Sequence, residues 1–153
     1  MKYIAYGSNM NVSQMEYLCK DAKLLGTGYI EYARLEFCLH ATVVRTERQE
    51  DRVPVAVWEI NEANEQRLDR FEGFPRYYIK DEWLAHMDSG EAFTGMIYLM
   101  RKFRLSPPEG CYYDCIRDAY DKLGLRSQIN TVLEPALKRS LERDAKAPRL
   151  EGR

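Results

Sequence analysis

The sequence predicts one α+β domain built around a closed or nearly closed sheet of about six strands, with helices at its ends. Three observations favour this fold class. Segments rich in branched and aromatic residues recur through the first hundred residues, and apolar residues at helical spacing dominate the last third. The length of 153 residues suits one hydrophobic core. We therefore assign residues 1–144 to a single domain and residues 145–153 to a flexible tail.

Six segments have the composition of β-strands. They contain the branched and aromatic residues that suit a pleated surface, and residues that favour turns or carry charge separate them. The predicted strands are residues 2–6, 28–32, 35–41, 53–60, 77–84 and 93–100. The charged run at residues 45–52 is interpreted as an exposed hairpin loop within the same domain.

The clearest helix signals surround residues 61–71. Asn61 is a suitable N-cap, and Gly73 followed by Pro75 ends the helix. Ser13 is the expected N-cap of an earlier, shorter helix. Two more helices are predicted in residues 109–123, closed by a glycine, and in residues 129–141, where a proline at position 135 either kinks the helix or restarts it.

Composition argues against several classes of function. The net charge is −1, and the sequence shows no cluster of basic residues of the kind that nucleic-acid binding requires. No secretory leader or apolar run long enough for a membrane span is recognisable, which leads us to expect a cytoplasmic protein with four reduced cysteines. The cysteine and histidine spacings do not fit a zinc site, and we expect no metal and no cofactor.

The first candidate site segment is the polar turn after the first strand, consisting of Tyr6, Gly7, Ser8, Asn9 and Met10. A Gly-Ser-Asn turn between a strand and a helix directs several backbone N–H groups into one concavity. Such a group of donors can hold an anion or a developing oxyanion. A plain connecting turn is the alternative, and the spacing does not fit a phosphate-binding loop.

The second candidate is Glu72, at the end of the helix predicted for residues 61–71. The unsatisfied carbonyls there disfavour a carboxylate, and Phe71 and Phe74 add desolvation, so both effects raise the pKa of Glu72. A carboxyl group with a raised pKa can exchange protons near neutral pH. An ordinary surface glutamate next to a helix-ending glycine is the alternative interpretation.

The third feature is the number of tyrosines, which is eleven. A phenol combines apolar bulk with a hydrogen-bond donor, so it can orient a charged substrate without adding charge. For any single tyrosine a place in the core or at its rim is the simpler interpretation. The candidates for a pocket are Tyr78, Tyr98, Tyr112, Tyr113 and Tyr120.

Three blocks, YIAYGSNM, PVAVWEINEANEQRLDRFEGFPRYY and MIYLMRKFRLSPPEG, occur in this order along the chain. Together they resemble the γ-glutamyl cyclotransferase family, including its AIG2-like members, over about residues 2–141. The resemblance implies a small six-stranded β-barrel flanked by helices. It also implies a cofactor-free enzyme in which the α-amine of a γ-glutamyl amide attacks its own γ-carbonyl and 5-oxoproline is released.

The same resemblance implies particular site residues. Glu72 corresponds to the catalytic acid/base, and the loop from Tyr6 to Asn9, with Met10 after it, corresponds to the loop that binds the γ-glutamyl group. Tyr78, Tyr98 and Tyr112 correspond to substrate-binding tyrosines, although the last assignment could fall on Tyr113 instead. The implied partner is a small γ-glutamyl compound whose leaving group is open, and the expected state is a monomer, with a homodimer as the alternative.

Two other functions remain open. A relative of the same fold could bind a small molecule or act in regulation without catalysis, although Glu72 has no evident use in such a pocket. A cysteine hydrolase that pairs a thiol with His40 or His86 is the alternative from another class, and it predicts inactivation by alkylation.

Overall fold

The computed structural model describes residues 1–101 and 104–146. Its strands are β1 (Lys2–Ala5), β2 (Lys23–Glu31), β3 (Ala33–Cys38), β4 (His40–Arg45), β5 (Arg52–Glu59), β6 (Tyr78–Met87) and β7 (Ala92–Met100). Its α-helices are α1 (Val12–Leu18), α2 (Glu62–Glu72), α3 (Gly110–Lys122) and α4 (Glu134–Lys146). A 3-10 turn (Ser8–Met10) precedes α1, and a π-helical turn (Ile129–Leu133) precedes α4. Most of the predicted C-terminal tail, residues 147–153, lies outside the described residues.

The α+β fold class with a closed barrel is confirmed. Five strands form the barrel in the order β1-β5-β2-β6-β7, and a parallel contact between Tyr3 and Met96 closes it. The other strand pairs in the barrel are antiparallel. Strands β3 and β4 pair with each other as a separate two-stranded sheet. Within residues 1–101 and 104–146 the closed sheet therefore has five strands, and there are seven strands in total where the sequence predicted six.

The additional strand arises at Leu39, inside the segment predicted as one strand over residues 35–41. Leu39 has a φ of 63°, and the chain reverses there so that Cys38 pairs with His40. The Leu39 N–H donates to the carbonyl of Ser106 at 3.2 Å, which holds the reversal in place. Because β4 pairs with β3 and not with β5, the charged run at residues 45–52 connects two sheets and does not close a hairpin.

Local signals explain the helix ends. Asn61 and Asn64 form reciprocal hydrogen bonds at the start of α2, and Gly73 ends α2 with a φ of 65°. Helix α1 begins earlier than expected, since its N-cap is Asn11 and not Ser13. The π-helical turn runs directly into α4, because the Glu134 N–H donates to the carbonyl of Ile129. Pro135 is the second residue of α4, so the change from π-helical to α-helical geometry falls at the proline and the chain stays helical through it.

The core lies inside the barrel and between the barrel and the helices. Its largest fully buried side chains include Tyr120, Phe37, Ile4, Met15 and Leu68. A buried ionic cluster ties α4 to β3, because the carboxylate of Glu36 accepts from Arg34 at 2.5 Å and from Arg139 at 3.4 Å. Arg139 also donates to the carbonyl of Leu35 at 2.7 Å. Within residues 1–101 and 104–146, no helix is both long and apolar enough to cross a membrane.

Candidate active site

A cavity of about 390 Å³ is bordered by the 3-10 turn that follows β1, the C-terminal end of α2, and residues of β4, β6, β7 and α3. Residues that are far apart in the sequence thus share one concavity. The sequence-predicted residues that line it are Tyr6, Gly7, Ser8, Asn9, Glu72, Tyr78, Tyr98 and Tyr112. The volume of this cavity and the types of residue that line it suit a small polar ligand.

The turn at residues 7–9 forms one wall of the cavity. A Cβ added at Gly7 would lie 3.3 Å from the Cβ of Ala41, so the close approach of β4 favours glycine here. The indole N–H of Trp58 donates to the carbonyl of Asn9 at 3.0 Å and fixes the turn. The amides of Ser8 and Asn9 open the 3-10 turn and so have no acceptor within it. They are available for a ligand oxygen.

Met10 does not belong to this group, which corrects the expectation from the sequence. Its side chain is fully buried in the core and does not line the cavity. Its backbone N–H donates to the carbonyl of Gly7 at 3.0 Å, so the turn itself uses this donor.

Glu72 is the last residue of α2, and its side chain lies beside the turn at one end of the cavity. The amide nitrogen Nδ2 of Asn9 lies 3.2 Å from its Oε1. Part of the side chain is open to the cavity, yet the surrounding protein desolvates the carboxyl group and raises its pKa from 4.5 to about 7. Among the described residues, no lysine or arginine forms a salt bridge with Glu72 that would oppose this rise.

The tyrosines around Glu72 are fixed by hydrogen bonds. The hydroxyl of Tyr6 donates to the carbonyl of Tyr98 at 2.5 Å, and that of Tyr78 donates to the carbonyl of Ala41 at 2.6 Å. Tyr98 donates to Oδ1 of Asp69 at 2.6 Å. Burial raises the pKa of Tyr6, Tyr78 and Tyr98 well above the usual value, so these phenols stay neutral near pH 7.

Of the tyrosines in α3, Tyr112 faces the cavity and Tyr113 does not. The Tyr112 oxygen accepts the backbone N–H of Ala41 at 2.9 Å and joins α3 to β4 beside the turn. Tyr113 packs against Phe37, with ring centroids 6.0 Å apart. Tyr120 is a fully buried core residue. Of the two adjacent tyrosines that the sequence left open, Tyr112 is therefore the one that lines the cavity.

Sequence reasoning did not assign eight further residues to the cavity. They are Tyr3, Ile4, His40, Ala41, Arg70, Phe71, Gly73 and Tyr77. The Tyr3 hydroxyl accepts from Asn9 Nδ2 at 2.9 Å. His40 Nδ1 and the Tyr77 hydroxyl lie 3.0 Å apart at the rim. The pair of adjacent tyrosines at positions 77 and 78 was a usable signal, whereas Tyr3 and His40 become neighbours of the site only through the fold.

The geometry does not favour thiol chemistry. Burial raises the pKa of the Cys19 and Cys115 thiols, which disfavours the nucleophilic thiolate. His86 pairs with Glu31 at 2.7 Å, and His40 with Tyr77, and neither forms a hydrogen bond with a described cysteine. In the described part of the chain, no three histidine, cysteine or acidic residues come together as metal ligands.

The fold and the site define a class of protein: a small β-barrel in which a desolvated carboxyl group, with a pKa raised to about 7, lies beside a turn of main-chain donors. The family of gamma-glutamyl cyclotransferase, AIG2-like proteins matches residues 3–115. The match covers most of the chain, and the protein belongs to this family. The family resemblance expected from the sequence is therefore confirmed.

Solved structures support the fold. A structure of a gamma-glutamyl cyclotransferase is 23% identical, with a TM-score of 0.74 over 99% of this chain and 91% of that one. An uncharacterized protein from Homo sapiens matches with the same values. An AIG2-like protein from Mus musculus is 16% identical, with a TM-score of 0.57 over 67% of this chain and 78% of that one. A comparison with curated protein sequences found no significant match.

Proposed function

We propose that this protein is a γ-glutamyl cyclotransferase that releases 5-oxoproline from a γ-glutamyl amide, with Glu72 as its acid/base residue. The observation that carries the proposal is the Glu72 carboxyl group. Its pKa is raised to about 7, and it shares a cavity with the turn at residues 7–9. A group with this pKa is present in both protonation states at neutral pH, as one residue that accepts and then returns a proton requires.

In the proposed reaction the substrate's α-ammonium group first loses a proton to the Glu72 carboxylate. The free amine then attacks the γ-carbonyl carbon, forming the new C–N bond of a five-membered lactam. The protonated Glu72 carboxyl donates its proton to the amide nitrogen, and the bond from that nitrogen to the γ-carbon breaks. The ring nitrogen still carries one proton more than a lactam, and the Glu72 carboxylate transfers this proton to the departing amine as well. The products are 5-oxoproline and the amine in its ammonium form, and Glu72 returns to the carboxylate form in which it began.

The surroundings of Glu72 supply the other requirements. The free amides of Ser8 and Asn9 are suited to stabilise the tetrahedral oxyanion, and loss of one such donor in other enzymes costs roughly 2.7–4 kcal/mol. The neutral tyrosines lining the cavity restrict the flexible glutamyl chain without adding charge. Since well-oriented intramolecular reactions gain on the order of 7–11 kcal/mol, holding the chain in a folded shape is a large part of the expected acceleration.

The test of this proposal is Glu72→Gln, assayed for 5-oxoproline release from a panel of γ-glutamyl amino acids, γ-glutamyl amines and glutathione. We expect the wild-type protein to turn over at least one compound and the variant to lose at least about a hundredfold in kcat, because removal of a general acid/base costs about 10²–10⁴. The matched control is Glu16→Gln on exposed α1, which should keep wild-type turnover.

Two outcomes would decide against catalysis by Glu72. Near wild-type turnover by Glu72→Gln would remove the residue from its role. Binding of γ-glutamyl compounds by the wild-type protein without any 5-oxoproline would favour the alternative, a small-molecule-binding member of the same fold. Isothermal titration with the same panel separates this second outcome from a failure to bind.

A further inference from the structure

The amide side chains of Gln14 and Asn9 form a row of hydrogen bonds that ends at Glu72. Nε2 of Gln14, on α1, donates to Oδ1 of Asn9 at 2.9 Å and to the Ser8 hydroxyl at 2.8 Å. Nδ2 of Asn9 in turn donates to the Tyr3 hydroxyl at 2.9 Å and to Oε1 of Glu72 at 3.2 Å. Gln14 therefore reaches the carboxyl group through one intervening amide.

The direction of these bonds decides which atom of Asn9 faces Glu72. An amide has one accepting oxygen and one donating NH₂ group, and the Asn9 oxygen is occupied by the NH₂ of Gln14. Both hydrogens of Asn9 Nδ2 are then directed towards Tyr3 and Glu72. If the amide turned over, its oxygen would face the carboxylate and its NH₂ would face the NH₂ of Gln14. The contact between the two NH₂ groups would be repulsive, and so would the contact between the Asn9 oxygen and the ionised Glu72 carboxylate.

Gln14 is itself held in the orientation that makes it a donor to Asn9. Its backbone N–H donates to the side chain of the N-cap residue Asn11 at 3.3 Å, which fixes the first turn of α1. The thiol of Cys115, on α3, donates to its Oε1 at 3.6 Å, so its NH₂ end is directed towards residues 8 and 9. Asn9 is only 2% exposed, and water has little access to replace these partners.

We propose that Gln14 is a positioning residue that orients the Asn9 amide with its NH₂ group towards Glu72, and so stabilises the ionised form of that carboxyl group. This role rests on the proposed function, in which the Glu72 carboxylate takes the first proton. A hydrogen bond from a fixed donor to a carboxylate favours the charged form. Without Gln14 the Asn9 amide is free to turn, and the carboxylate loses that fixed donor.

Other titratable groups border Glu72 and bear on its titration. The phenols are those of Tyr3, Tyr6, Tyr77, Tyr78, Tyr98 and Tyr112, from β1, β6, β7, α3 and the adjoining loops, and burial raises the pKa of each above its usual value. His40 on β4 has a pKa lowered by burial, and the Arg70 guanidinium on α2 also borders the cavity. A titration near pH 7 is therefore assigned to Glu72.

The test measures the Glu72 carboxyl group directly, by carbon-13 NMR across a pH series of the full-length protein. The main variant is Gln14→Met, which keeps the length of the side chain, removes the donor and adds no charge. We expect the pKa of Glu72 to rise by about one pH unit in this variant. The matched control is Gln66→Met on the exposed face of α2, in which the pKa of Glu72 should stay at the wild-type value.

Kinetics supply the second measurement. With the higher pKa, Gln14→Met should release 5-oxoproline about fivefold more slowly than wild type at pH 7, and recover to within about twofold at pH 9, where the carboxyl group is ionised in both proteins. A merely structural role predicts the same loss at every pH. If Gln14→Met does not fold, Gln14→Leu, which also removes the donor and adds no charge, should raise the pKa of Glu72 in the same way.

An unchanged pKa of Glu72 in a folded Gln14 variant, or a loss of activity that does not vary with pH, would overturn the proposal. The NMR titration also separates this proposal from the proposed function. If the wild-type protein released no 5-oxoproline, the catalytic proposal would fail, whereas the pKa of Glu72 in the Gln14 variants would still show whether Gln14 controls its ionisation.

Discussion

Burial of Glu72 should make the protein less stable as pH rises, and Glu72→Gln should remove this effect. The carboxyl group has a pKa of about 7 in the folded protein and an ordinary value of 4.5. Between these values the folded state binds more protons than the unfolded state, so the free energy of unfolding falls as pH rises through this window. Below about pH 4.5 the folded state keeps its full stability, and above about pH 8 the loss is complete.

The size of this effect follows from the same two pKa values. A difference from 4.5 to about 7 corresponds to about 3 kcal/mol when the loss is complete. Because part of the side chain is open to the cavity, solvent reduces the penalty, and we expect about 2 kcal/mol. Glutamine cannot ionise, yet its oxygen can still accept the hydrogen bond from Asn9. Glu72→Gln should therefore be more stable than wild type at about pH 8.5 and similar to it at about pH 4.5.

Urea unfolding of the wild type and of Glu72→Gln at these two pH values is the assay. The difference in the free energy of unfolding between the two proteins should grow by about 2 kcal/mol from the lower to the higher pH. Glu16→Gln, at an exposed position of α1, corrects for the general effect of removing one negative charge. A difference between wild type and Glu72→Gln that does not change with pH would refute a raised pKa at Glu72.

Two further substitutions test how the fold supports the site. Arg139→Met should lower the free energy of unfolding by about 2–3 kcal/mol, because buried Glu36 then keeps only Arg34 as a partner. Exposed Arg117→Met is the control. Equal urea midpoints for wild type and Arg139→Met would contradict this prediction. Gly73 and Gly124 each have a positive φ after a helix, so replacing either with alanine should lower the free energy of unfolding by about 1 kcal/mol. Only Gly73→Ala should also slow 5-oxoproline release, because it displaces Glu72.

The parts of the fold that the sequence predicted well depend on local interactions. Asn61 as N-cap and Gly73 as the helix-ending residue are both confirmed, because capping involves residues that are three or four positions apart. The raised pKa of Glu72 was expected from its place at the end of α2 and from nearby aromatic residues. Its principal cause in the structure is burial by the whole cavity wall.

The parts that the sequence did not predict depend on contacts between distant residues. The reversal at Leu39 carries no glycine, asparagine or aspartate, and its left-handed conformation is held by the contact with Ser106, more than sixty positions away. Tyr3 reaches the site because closure of the barrel and the 3-10 turn bring its hydroxyl to Asn9. Such pairings are set by barrel topology, which composition and periodicity do not specify.

Glu72 is held in place by a neutral hydrogen-bond donor and not by an ion pair, which agrees with the proposed chemistry. An ion pair would fix Glu72 firmly, but a nearby cation would lower its pKa and prevent proton exchange near neutrality. Lys80, on β6, is instead held by Asp69 at 3.0 Å and by Glu65 at 3.0 Å. Glu72 has a neutral donor, Asn9, as its hydrogen-bond partner. Because Lys80 is paired with Asp69 and Glu65, it forms no ion pair with Glu72, and the charge of Glu72 can change.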